Sequence, residues 1–239
     1  MTFPQEVCTS GAGQWLVPLL QTADPLFPTG SYAHSLGLEE IVQMGQVRDP
    51  ESLGVYLKER LIPYLENLEL PHLRFLYQAA NTNNLELLIE LDFELTALKL
   101  TREIRQASAN QGRQRLRLLR SIYPDPLLDQ FDECIREQDA PCNHQTIFAI
   151  QHTLQGIPLE ASLLTWLYQT VAAQCSASMK LIRIGEEGCQ KIICQCMEDA
   201  EGIVRRATRI SREDAGWFNP ILDIASSRHE RAHVRLFIS

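Results

Sequence analysis

The chain has 239 residues, of which 45% are apolar and 22% charged, enough for one sizeable core. Its net charge of −8 and pI near 5.3 argue against nucleic acid as the main ligand, which needs a basic footprint. No apolar run approaches the roughly 18 residues of a membrane span.

The first residues, Met1 to Gly13, are polar and small, without the basic start and apolar stretch of a signal peptide. Seven cysteines without framework spacing read as reduced thiols, so a cytoplasmic protein is expected. Helical signals dominate and strand signals are nearly absent. A first helix is predicted from about Ser31 through His34, Leu38 and Ile41 to about Gln46. Asp49-Pro50 reads as an N-cap with proline at the first helical position, opening a helix over Glu51 to Asn67 that Pro63 should kink or shorten. Pro71 opens a short helix through Leu73, Leu76 and Ala80. Helices follow over Asn84 to Leu95 and about Leu98 to Ile122, and Pro124 and Pro126 then break the pattern. Pro158 with Glu160 starts a helix whose stripe of Leu163, Leu167, Val171, Cys175 and Met179 suits the central helix of a bundle. Gly185 and Gly188 interrupt the pattern, which resumes from Gln190 to Ser211. The expected fold is all-α, a single helical-bundle domain of about ten helices with mobile N- and C-terminal ends.

Phosphate-binding, dinucleotide-binding and nucleophile-elbow motifs are missing, which turns the reading away from nucleotide-driven and acyl-transfer enzymes. His229-Glu230-Arg231-Ala232-His233 formally matches the zinc-hydrolase pattern, in which two histidines hold the metal and the glutamate polarises its water. Only six residues follow, so a downstream third ligand has nowhere to come from, and an exposed tail helix or a weak metal pair is the preferred reading. Cys189, Cys194 and Cys196 cluster, but on a helix Cys194 points about 140° from Cys189, and Cys196 lies about 10 Å along the axis. These read as small core hydrophobes. Lys99, Arg102, Arg105, Arg113, Arg117 and Arg120 fall within a sector of about 120°, while Arg115 points elsewhere. Pairing with Glu86, Glu90 and Glu94 of the preceding helix, or solvation, is one reading; a surface for an acidic partner is the other. Asp24 reads as a turn residue, and Glu39 and Glu40 as a solvated helix face.

Leu19-Leu20-Gln21-Thr22-Ala23-Asp24-Pro25-Leu26-Phe27-Pro28-Thr29-Gly30-Ser31-Tyr32-Ala33-His34-Ser35-Leu36-Gly37-Leu38-Glu39 closely resembles the pattern L-L-Q-L-A-D-S-x-x-P-T-G-x-F-A-H-S-x-G-L-E of the UreF family of urease accessory proteins. The resemblance continues at Arg105-Gln106-Ala107-Ser108 with Gly112-Arg113. It returns in the closing segment, Asp223 to Glu230 and Arg235-Leu236-Phe237-Ile238-Ser239. It implies an all-helical cytoplasmic protein, commonly a homodimer, that performs no bond-making chemistry and engages neither nucleic acid nor membrane. The implied partners are UreD (also called UreH), the GTPase UreG and apo-urease. The family bridges them while nickel passes in transit to the urease metallocentre, with no cofactor held stably. A family segment resembling V-R-L-I-P-L-G-Q, whose arginine is implicated in docking, matches Met179 to Glu186. Lys180 takes the arginine position, Arg183 replaces proline, Gly185 is kept, and Glu186 replaces glutamine. Lysine keeps the charge but loses the bidentate fork. The resemblance thus divides the chain into a flexible N-terminus (1–13), a helical domain (14–216) and a partner-binding tail (217–239). In the tail Arg228, His229, Glu230, Arg235, Leu236 and Phe237 would meet UreD. Asp24, Pro28, Thr29, Gly30, His34, Glu39, Arg105, Ser108, Gly112 and Arg113 make up the structural motif. A helical interaction protein serving another complex is the alternative, and a zinc metallohydrolase using His229, Glu230 and His233 a remoter one.

Overall fold

Asp49 accepts from the Ser52 N–H (2.8 Å) while the Ser52 hydroxyl takes the Asp49 N–H (3.1 Å), a reciprocal cap that starts the longest helix. The computed structural model describes residues 12–24, 26–27, 37–99, 101–137, 140–220, 224–225 and 227. Among them ten helices are present and no strand: α1 (Ala12–Ala23), α2 (Leu38–Gln43), α3 (residues 50–81), α4 (Leu85–Leu98), α5 (Arg102–Ile122), α6 (Pro126–Arg136), α7 (His144–Leu154), α8 (Leu159–Ser178), α9 (Glu186–Met197) and α10 (Ala200–Ala207). The all-α bundle is as expected, and its boundaries differ in instructive ways.

Neither Pro63 nor Pro71 ends α3. The chain stays helical through both, and it widens into π-turns over Leu57–Leu61 and Leu65–Glu69. Those segments hold Glu59 and Asn67, the residues four before each proline, whose carbonyls the pyrrolidine rings would strike in a regular α-helix. The wider turn moves those carbonyls aside and keeps the helix whole. Gly37, with φ of +82°, starts α2 from the left-handed region, and the Gln46 boundary falls back to Gln43. The helix predicted over Gln190 to Ser211 is two, α9 and α10, divided at Glu198–Asp199, and α9 begins before Gly188.

The central helix is α7, not α8. Every residue from Gln145 to His152 is buried, whereas α8 exposes Glu160 and Tyr168, and Met179 lies exposed beyond its end. Leu163, Leu167, Val171 and Cys175 do form the inward stripe of α8. The core gathers α3, α5 and α8 around α7, with Leu73, Leu76, Leu116, Phe131, Ile147 and Phe148 all buried. Cys175, Cys189 and Cys196 are buried in it as small hydrophobes, with the Cys189 thiol donating to the Cys175 carbonyl (3.3 Å), while Cys194 is exposed. No helix among the described residues is long and apolar enough to cross a membrane.

Candidate partner-binding site

The polar groups of α7 explain how so hydrophilic a helix sits at the centre. Asp92 of α4, fully buried, accepts from the Cys142 and Asn143 backbone N–H groups (2.6 and 2.9 Å), the Asn143 amide (3.0 Å) and the Thr146 hydroxyl (2.5 Å). Its carboxylate therefore caps the N-terminus of α7, where helix N–H groups and dipole favour an anion. Ser108 of α5 accepts from the His144 N–H (3.2 Å) and donates to the Asn143 side-chain oxygen (2.9 Å). One turn on, a Cβ on Gly112 would stand 2.0 Å from the Cys142 carbonyl oxygen, so only glycine permits this approach of α5 to residues 140–143. Arg105 donates to the Lys99 carbonyl (2.7 Å) at the α4–α5 joint. The motif residues Ser108 and Gly112 thus seat the start of α7, and Arg105 ties the α4–α5 joint. Arg113 is exposed.

The basic sector of α5 is not one thing. Lys99 is buried, its pKa lowered by burial against the opposing pull of Glu69 and Asp92. Arg120 pairs with Asp129 and Asp132 of α6. Arg115 is buried, donates to Gln151 (2.5 Å), and lies over the rings of Phe27 (4.8 Å) and Phe148 (5.0 Å). Gln151 passes the contact to the Thr22 hydroxyl (2.9 Å), which moors α1. Of the reading that gave this sector pairing or solvation, the pairing with Glu90 and Glu94 is not found: Arg212 takes both carboxylates, at 2.7 and 2.6 Å, and His72 also approaches Glu94 (3.3 Å). Asp24 is a turn residue as expected, its carboxylate accepting from the Leu26 N–H (2.7 Å). Glu39 is buried rather than solvated, because Leu38 and Ile41 on either side anchor α2 in the core.

Two surfaces carry the candidate docking residues. The first is the turn between α8 and α9, where Lys180, Arg183, Gly185 and Glu186 are all exposed. Leu181, Ile182 and Ile184 alternate with them and pack onto the core, and the Leu181 and Ile182 N–H groups both bond the Ser178 carbonyl (2.9 Å each). The turn is therefore a firm ledge with its polar side chains outward. The second surface is the segment after α10. Arg74 forks onto the Thr208 and Ile210 carbonyls (2.7 and 2.5 Å), Arg212 reaches Glu90 and Glu94, and the Gly216 N–H bonds the Asn67 carbonyl (2.9 Å). Residues 208–219 form a strap along α3, and the strap delivers Trp217 and Phe218 exposed at its end. Arg74, Arg212 and Gly216 carry no motif that marks them; the proline-displaced carbonyl of Asn67 is the signal that could have located the strap. Pro28, Thr29, Gly30 and His34, and Arg228, His229, Glu230, His233, Arg235, Leu236 and Phe237, lie outside the described residues.

A family model described as UreF matches residues 47–197. The urease accessory protein UreF of Arthrobacter sp. (strain FB24) is 31% identical over 96% of this chain and all of its own. That of Bacillus sp. (strain TB-90) is 32% identical over 94% of this chain and 99% of its own. That of Paenarthrobacter aurescens (strain TC1) is 28% identical over 92% of this chain and 96% of its own. The end-to-end similarity takes in the Pro-Thr-Gly block and the closing segment that the family model leaves out, and the chain belongs to the UreF family of urease accessory proteins.

Proposed function

We propose that this chain is a cytoplasmic, non-catalytic scaffold that bridges UreD (UreH) and the GTPase UreG while nickel is handed to apo-urease. The observation that carries the reading is membership of an accessory-protein family over nearly the full chain. The ledge at Lys180, Arg183, Gly185 and Glu186 suits the GTPase side, being exposed, polar and held by its apolar neighbours. The strap suits the UreD side, because it holds Trp217 and Phe218 exposed at the start of the segment that carries Arg228, His229, Glu230, Arg235, Leu236 and Phe237 in the sequence. Nickel is cargo in this reading. Leu16, Val17 and Leu20, exposed side by side on α1, supply apolar surface for pairing with a second copy. Deleting residues 217–239 tests the assignment of the tail: UreD co-purification is lost while circular dichroism stays that of the folded bundle. Undiminished co-purification after the deletion counts against it.

A further inference from the structure

We propose that the outward face of α5 is a docking surface for a partner protein that presents a row of carboxylates, an inference that rests on the scaffold reading above. Arg102, Arg113 and Arg117 are exposed and make no ion pair among the described residues. On a helix of 100° per residue they fall within about 60° of one another and span about 22 Å of axis. Gln106, Asn110 and Gln114 extend the outer sector, all exposed, and half-buried Glu103, about 40° beyond Arg117 on the wheel, is the one acid of α5.

Among the described residues several acidic groups of the neighbouring elements are engaged with other arginines. Glu90 and Glu94 hold Arg212, Asp129 and Asp132 hold Arg120, and Glu66 with Asp199 holds Arg206. An acidic protein of net charge −8 thus carries three exposed arginines in line on one helix. Guanidinium groups suit it to carboxylates, which they bind in paired hydrogen bonds. Apolar side chains are missing from the stripe, so nothing there would enter a lipid surface. The overall negative charge opposes the approach of a nucleic acid, whose phosphates would meet the rest of the molecule as well. A partner protein with a local acidic helix or edge meets neither objection.

The test uses the full chain carrying Arg102→Glu, Arg113→Glu and Arg117→Glu together, and a second variant with lysine at the same three positions. Both should melt with the unmodified chain, since the stripe is exposed. Binding to purified UreD, UreG and apo-urease is measured separately at low and raised salt. The unmodified chain should bind at least one of them with an affinity that falls about tenfold with added salt, as exposed charge pairing does. The glutamate variant should lose about tenfold at low salt and its salt dependence with it, and the lysine variant should keep most of both. Glutamate-variant binding within about twofold of the unmodified chain for all three proteins overturns the docking surface and leaves the scaffold reading standing. No binding of the unmodified chain to any of them overturns both. Loss confined to a single-stranded RNA or to anionic vesicles overturns the choice of partner.

Discussion

The backbone N–H of Gly216 donates to the carbonyl of Asn67 at 2.9 Å, and Asn67 lies four residues before Pro71. That carbonyl is the one a regular helix would have bonded to residue 71, where proline has no N–H to give. A substitution inside α3 and the path of the chain nearly 150 residues later are therefore linked through one hydrogen bond. Pro71→Ala restores a competing helical donor. Amide exchange at Gly216 should quicken about fivefold, corresponding to about 1 kcal/mol of lost hydrogen bonding, with the rest of the core unchanged. Hydrogen–deuterium exchange with peptide resolution reads this, and an unaltered Gly216 rate contradicts the link.

Asp92 holds the start of α7 through two backbone N–H groups, the Asn143 amide and the Thr146 hydroxyl. Asp92→Ala leaves those donors buried without an acceptor and should cost about 3–5 kcal/mol in chemical denaturation. Gly112→Ala forces a Cβ against the Cys142 carbonyl and should cost about 1–3 kcal/mol in the same measurement. A loss below about 0.5 kcal/mol for either variant would show that residues 140–143 are not the seat of α7.

His152 lies against Phe148 with the rings tilted by 31° (3.8 Å between ring centres), and its Nδ1 is 2.9 Å from the Ser162 hydroxyl. Burial, and then the Arg115 charge, hold its pKa well below the usual histidine value. The folded state keeps it neutral, while the unfolded chain protonates it below about pH 6.5. As pH falls below that value the unfolded state binds the extra proton, so this contribution to stability is lost toward acid. Its slope reaches at most about 1.4 kcal/mol per pH unit. His152→Gln should flatten the stability curve between about pH 6.5 and pH 5 relative to the unmodified chain. Parallel curves for the two proteins contradict the neutral buried histidine.

Much of the fold is legible before any coordinates. Asp49-Pro50 announces the start of α3, and the inward stripe from Leu163 to Cys175 reads off directly. Asp125-Pro126 repeats the same start signal for α6, where the Asp125 carboxylate accepts from the Leu127 N–H (2.8 Å). Pro124 and Pro126 together end the preceding pattern, which hides that start signal in the sequence. α7 is hidden for a deeper reason. Buried on all sides, it has no polar face to contrast with an apolar one, and Gln145, Thr146, Gln151 and His152 make it look like a loop. Their partners lie on other helices, which local periodicity does not reach. The same holds for Glu90 and Glu94: wheel geometry sets them near α5, but the strap brings Arg212 to them from more than a hundred residues away. Of the candidate site, the Lys180 to Glu186 segment follows from resemblance alone, and the arrangement of the strap from neither pattern nor motif.

Lys180 stands exposed on the ledge between α8 and α9, where the proposed GTPase contact puts it at the interface. Lys180→Ala should weaken binding of the GTPase by about 1 kcal/mol, roughly fivefold, and leave self-association unchanged. Lys180→Arg, which restores the bidentate fork, should bind at least as well as the unmodified chain. Titration by calorimetry and analytical ultracentrifugation separate the two readouts, and equal binding by all three proteins removes Lys180 from the interface.

Co-expression of this chain with UreD and UreG, followed by size-exclusion chromatography, tests the bridging function most directly. The scaffold account predicts one species containing all three proteins, with UreG absent from the UreD fraction when this chain is omitted. Elution of this chain apart from both, or a UreD–UreG complex that forms equally well without it, would contradict the account.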